Sequence, residues 1–143
     1  MNHASGNKSV VKAAASVAAS ATHSHEIDTA GFKYASIDVV YSPFTAATAS
    51  YASVLKVQES DTSGSGQADI SGLSITAGAG STTGANSGAV ARFNIDLRGR
   101  KRYLTVVTSP GNTVAVVTNA RLSKGEQHAV SATDAGVNNI ASL

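Results

Sequence analysis

Cysteine is absent from the 143 residues, so there is no disulfide framework and no thiolate chemistry. Tryptophan is absent too, and all aromatics together make only 5% of the chain. Stacking platforms for sugars or bases are therefore scarce. Charged residues are only 14%, with a formal net charge of +2, too little to argue for nucleic acid by charge alone. No apolar run approaches the roughly 18 residues of a membrane-spanning helix. The N-terminus imitates a secretory leader, with Lys8 before Ala13–Ala19 and a small-residue Ala19-Ser20-Ala21 site. Lys12 interrupts it, however, and its apolar residues are Ala rather than Leu, so it is not read as one. What remains is Ala, Ser, Thr, Gly and Val, side chains that build a thin core. A thin core under a lightly charged surface points to a subunit completed by neighbours.

The stretch from Ala91 to Leu122 carries the densest structural signal. Phe93, Ile95 and Leu97 alternate with Asn94 and Asp96, the period of a half-buried strand. Arg98-Gly99-Arg100 breaks that run, and Arg102–Thr108 resumes with Tyr, Leu, Thr and Val. Ser109-Pro110-Gly111-Asn112 reads as a turn, and Thr113–Leu122 as a third strand. Short connections predict that the three form an antiparallel meander.

Upstream, Phe32–Ser42 has strong strand character and Pro43 ends it. Tyr51–Glu59 is the next strand, Ser60–Gly66 a tight loop and Gln67–Ile75 a fainter strand. Thr76–Gly88 is Gly-, Ala-, Ser- and Thr-rich and reads as a surface loop. The tally of seven or eight short strands with turn signals between them gives an all-β antiparallel sandwich of jelly-roll-like form. Residues 1–25 read as an extended N-terminal arm with one short strand near Val10, residues 26–124 as the sandwich, and residues 125–143 as a C-terminal arm.

Three short signatures have a familiar order. They are Thr29-Ala30-Gly31-Phe32-Lys33-Tyr34-Ala35-Ser36, Leu55-Lys56-Val57-Gln58-Glu59-Ser60-Asp61 and Arg100-Lys101-Arg102-Tyr103-Leu104-Thr105-Val106-Val107. Together they resemble a family of small structural proteins of tailed bacteriophages, over roughly Thr29–Leu122. The resemblance implies a non-enzymatic virion protein on the capsid exterior. It would be a head decoration or cement subunit with a jelly-roll-like fold that bridges copies of the major capsid protein. A homo-oligomer is expected, a trimer first, with arms gripping adjoining copies. The Gly-rich loop Thr76–Gly88 and the long C-terminal extension depart from the family pattern and leave the capsid position open. A tail or neck component and a virion-displayed carbohydrate-binding module are the alternatives.

Arg98, Arg100, Lys101 and Arg102 place four positive charges in five residues. Docking on an acidic capsid surface and protection of a strand edge explain them equally well. Phosphate contact comes third, because only Tyr103 could stack. His23 and His25, with Glu26 and Asp28 nearby, fall on one face of an extended segment and could offer metal ligands. With only His3 and His128 as further histidines, an exposed polar segment is the favoured reading. Glu59 and Asp61 lack the ligand spacing of a calcium loop, and a turn held by Asp side-chain hydrogen bonds is expected. No Gly-x-Ser-x-Gly elbow is present. Gly64-Ser65-Gly66 and Gly78-Ala79-Gly80 precede no helix that could present amides to phosphate. No enzyme signature and no cofactor motif is found.

Overall fold

The computed structural model describes residues 6–44, 50–77, 88–124 and 136–137. These form eight antiparallel strands. They are β1 (Lys8–Val17), β2 (His23–Asp28), β3 (Tyr34–Tyr41), β4 (Ala52–Ser60), β5 (Ala68–Ser74), β6 (Ala89–Asp96), β7 (Tyr103–Pro110) and β8 (Val114–Ser123). One sheet runs β1-β8-β3-β6 and the other β2-β7-β4-β5. The all-β sandwich expected from the strand count is what the chain forms.

Alternation builds both layers. Along β6, Ala89, Ala91, Phe93 and Ile95 point inward and Val90, Arg92, Asn94 and Asp96 outward. β3 contributes Ala35, Ile37, Val39 and Tyr41, and β8 contributes Val114, Val116, Thr118, Ala120 and Leu122. The opposite sheet supplies Ile27, Leu55, Val57, Leu104 and Val106. Each Val, Leu, Ile or Phe among them stabilises the fold by roughly 1.5–3 kcal/mol when fully buried. The largest, Tyr41, could not be buried with its hydroxyl unpaired. It shares a 2.6 Å hydrogen bond with Thr108 Oγ1, and its ring tilts against Tyr51 at 5.4 Å. Burial pushes the Tyr41 phenol up to about 12.

Two expectations are corrected here. The N-terminal arm is not an appendage. Residues 8–17 form β1, which pairs with β8 from Lys8↔Leu122 to Val17↔Val114, and the 25/26 boundary falls inside β2, which pairs with β7. Nor do β6, β7 and β8 form a meander. β7 lies in the sheet opposite to β6 and β8, and only the β4–β5 link joins strands of the same sheet. The Ser109–Asn112 turn therefore carries the chain from one layer to the other. Of the predicted C-terminal arm, only Gly136 and Val137 are among the described residues. Gly136 lies directly against the Ser9 carbonyl, so this point of the chain touches its own β1.

The β7–β8 crossover depends on a close approach. Gly111 donates its amide to the Tyr51 carbonyl at 3.1 Å, and any Cβ at Gly111 would run into the Ser50 carbonyl. Backbone cannot give way as a flexible side chain would. Gly111→Ala is expected to cost about 2–3 kcal/mol, read from urea unfolding midpoints. Gly64→Ala, with open space around it, is the control; it meets only the left-handed backbone cost.

Candidate functional site

The β6–β7 loop closes one end of the sandwich. Gly99 adopts φ +81°, and the Arg100 amide donates to Leu97 O at 3.0 Å. This tight turn projects the four cations singled out in the sequence. Arg98 doubles back on Asp96, with Nη2 to Oδ2 at 2.5 Å. Arg100 reaches Glu59 at 3.5 Å. Lys101 donates its backbone amide to Glu59 at 3.1 Å and its ammonium to Asp61 at 3.2 Å. Arg102 grips Asp28 through Nε at 2.9 Å and Nη2 at 2.8 Å.

The four cations thus meet four carboxylates. Asp28 comes from the end of β2, Glu59 from β4, Asp61 from the loop after it and Asp96 from β6. The Arg98 guanidinium holds the Asp96 carboxyl down to about 2, and hydrogen bonds from Arg102 hold Asp28 below the usual carboxylate range. Thr29 adds its amide (3.0 Å) and hydroxyl (2.6 Å) to the Arg102 carbonyl. The basic run is therefore a clasp over four strand ends and not a free positive field. Its pairs are exposed, so solvent screens them and they add little to stability. Their charge is largely matched within the fold, which leaves less of it for an acidic partner.

The loop after β4 is organised differently from expectation as well. Glu26 on β2 accepts from Ser63 Oγ (2.5 Å) and the Gly64 amide (2.7 Å), and Ser60 Oγ donates to Thr62 O at 2.8 Å. Asp61 points away to Lys101, so the turn is held by Glu26 and Ser60.

The unmatched positive charge lies elsewhere. Among the described residues Lys8, Lys12, Lys33, Arg121 and Lys124 make no ion pair with a carboxylate. Lys12 is used internally, donating to Ser24 O at 2.6 Å. The other four are brought to one end of the β1-β8-β3-β6 sheet by register. Lys8 pairs with Leu122, and Arg121 lies between Ser9 and Ser36. Lys33 donates its amide to Ser123 O at 3.2 Å, and Lys124 follows directly. Tyr34 holds Lys124 at this end: Lys124 Nζ lies 5.0 Å from its ring centre, and Arg98 Cζ, outside the four, lies at 5.5 Å. Lys124 itself is held at φ +54°, an uncommon backbone state for a non-glycine residue. A shallow recess of about 270 Å³ opens beside it, lined by Tyr34, Ser36, Asn94, Asp96 and Ser123. Sequence reasoning missed this cluster, because its members are spread over 117 positions from Lys8 to Lys124 and meet only through the β1–β8–β3 register.

The histidines are also relocated. His23 and His25 were read as an exposed polar segment, but β2 turns both into the core, 6% and 5% exposed. His23 Nε2 lies 3.1 Å from Thr118 Oγ1. His25 Nδ1 is buried without a partner. Burial, aided by nearby Lys12, lowers both, His25 to about 4. Among the described residues no three His, Cys, Asp or Glu side chains converge on a metal position; His3 and His128 lie outside the described residues. No helix among them is long and apolar enough to cross a membrane.

No family model, no curated protein and no solved structure matches this chain.

Proposed function

We propose that this chain is a virion structural subunit that decorates a bacteriophage head and cements its major capsid protein. The observation that carries the reading is the strand order. The β1-β8-β3-β6 and β2-β7-β4-β5 sheets, interleaved by repeated crossing of the chain, have the order that two Greek keys wound into a jelly roll would give, which supports that reading. Viral capsid subunits use that architecture, although lectins and other proteins do too. The three phage-like signatures add the choice between them: in this fold they form the entry to β3, the end of β4 and the start of β7.

The attachment face in this reading is the end carrying Lys8, Lys33, Arg121 and Lys124. None of the four makes an ion pair with a carboxylate among the described residues, and they can meet acidic side chains on a shell. The carbohydrate-module alternative gains less support. A larger open depression of about 410 Å³, running over Ser53, Val54, Lys56, Ser74 and Thr76, has no aromatic ring in its lining.

The test uses phage heads assembled without this chain and purified full-length protein. Wild type is expected to bind the head surface, with affinity falling as salt rises. The triple change Lys33→Glu, Arg121→Glu and Lys124→Glu is expected to weaken binding about tenfold and flatten the salt dependence. No binding to heads sinks the proposal, and unchanged binding by the triple variant removes this face from it.

A further inference from the structure

A sandwich of two four-stranded sheets has four edges, and three of these are blunted. β1 carries Lys12 across to the Ser24 carbonyl, breaks register between Ala14 and Val17 and is touched by Gly136 at Ser9. β2 has only six residues, and that same Lys12 bond caps it at Ser24. β5 is bulged: its register with β4 breaks between Lys56 and Gln58, with Gly72 at φ +84°. Inward-pointing charge, short length and bulges are the usual devices that stop edges from pairing.

Among the described residues β6 has none of them. It pairs with β3 at all eight positions from Tyr34↔Asp96 to Tyr41↔Ala89 without a break. It lacks Pro, Lys and Gly, and Val90 stands 62% exposed on it. The phase of its hydrogen bonds is fixed at both ends of β3. Leu97 donates to Lys33 O, while Ser42 on the other register donates to Ala115 O. Odd-numbered residues of β6 therefore bond to β3. The amides and carbonyls of Val90, Arg92, Asn94 and Asp96 face outward from the sheet edge.

We propose that this edge pairs with β6 of a second copy about a two-fold axis at Asn94. Antiparallel self-pairing in that register sets Asn94 opposite Asn94 and Arg92 opposite Asp96, twice by symmetry. It also sets Phe93 opposite Ile95 on the core side. The outward-facing even residues then become the closely bonded pairs, each exchanging two backbone hydrogen bonds. Centring the axis on Arg92 would oppose two arginines; in the Asn94-centred register Arg92, already bidentate with Asp38, and Asp96, already held by Arg98, face each other as opposite charges, and the backbone bonds carry the contact. One edge satisfying its own copy closes at two subunits, which gives a dimer in place of the expected trimer. The inference does not rest on the capsid reading, since it concerns the free protein.

The experiment is sedimentation velocity on the full chain over about 1–100 μM. A dimer that grows with concentration is expected. Asn94→Pro removes an edge-facing amide and no backbone bond to β3, only the exposed side-chain bond from Ser36 Oγ to Asn94 Oδ1, so the fold should persist by far-UV circular dichroism while the dimer is lost. Asn94→Lys sets two like charges face to face and should raise the dissociation constant about 100-fold. A monomer throughout the range, a trimer, or a dimer indifferent to Asn94→Lys overturns the proposal.

Discussion

Removing residues 1–20 is expected to abolish cooperative folding. An arm could be cut without harm, but β1 is a structural strand. Its ladder with β8 spans eight paired positions from Lys8 to Val17, and net contributions of about 1 kcal/mol per backbone bond accumulate along it. Val10, Ala14 and Val17 pack on the core. Their loss would uncover Val116, Thr118 and Leu122, now fully buried, and leave His23 facing water. The deletion also removes Ser20, whose amide donates to Pro110 O at 2.9 Å at the β7–β8 crossover. These losses together equal or exceed the 5–15 kcal/mol that typically separates a domain from its unfolded state. The measurement is thermal unfolding followed by circular dichroism, with residues 21–143 beside the full chain. A cooperative transition for the shortened chain within about 5 °C of the parent, a shift worth only about 1 kcal/mol, would restore the separable arm.

β1, read only as a short strand near Val10 in an arm, and β2, not read as a strand, show what hides from periodicity. β1, Lys-Ser-Val-Val-Lys-Ala-Ala-Ala-Ser-Val, holds four alanines and serines in its second half, residues with little strand preference. Its inward row is Val10, Lys12 and Ala14, with a charge in the middle, so the alternation is broken where Lys12 spans the seam to β2. β2 does alternate, but only if histidine is counted with the apolar residues: His23, His25 and Ile27 face in, Ser24, Glu26 and Asp28 out. The strands that were legible, β3, β4, β6, β7 and β8, carry Ile, Val, Leu or Phe on that inward row. Sheet membership was not legible at all. A short turn can close a hairpin or carry the chain to the opposite layer, and the residues around Pro110 serve either. The ion pairs were hidden for the same reason: Arg102 and Asp28 are 74 positions apart. A run of four basic residues therefore looked like free charge. The surplus lay with dispersed lysines and one arginine that no local window gathers.

The buried histidines give the second large effect, and it appears on acidification. His25 titrates near 6.5 in an unfolded chain and near 4 in the fold, chiefly because burial disfavours its charged form and next because Lys12 and His23 stand close. Between those values the unfolded chain binds a proton that the folded chain does not, so stability falls as pH drops from 6.5 toward 4 and levels off below. At about 1.4 kcal/mol per pH unit the full loss approaches about 3 kcal/mol. His23, shifted the same way, adds to it. Most of the carboxylates act lower: Asp96 is held to about 2 by Arg98, so its contribution is lost only below pH 3.8. The limb above pH 4.5 therefore belongs mainly to histidine. His25→Leu fills a similar volume and also removes the unpartnered Nδ1. Urea unfolding at pH 7.5 and pH 4.5 should show the variant at least as stable as the parent at the higher pH, and ahead by about 3 kcal/mol at the lower. Parallel losses in the two proteins would mean that His25 is already solvated or charged in the fold. The inward row of β2 would then have to be redrawn.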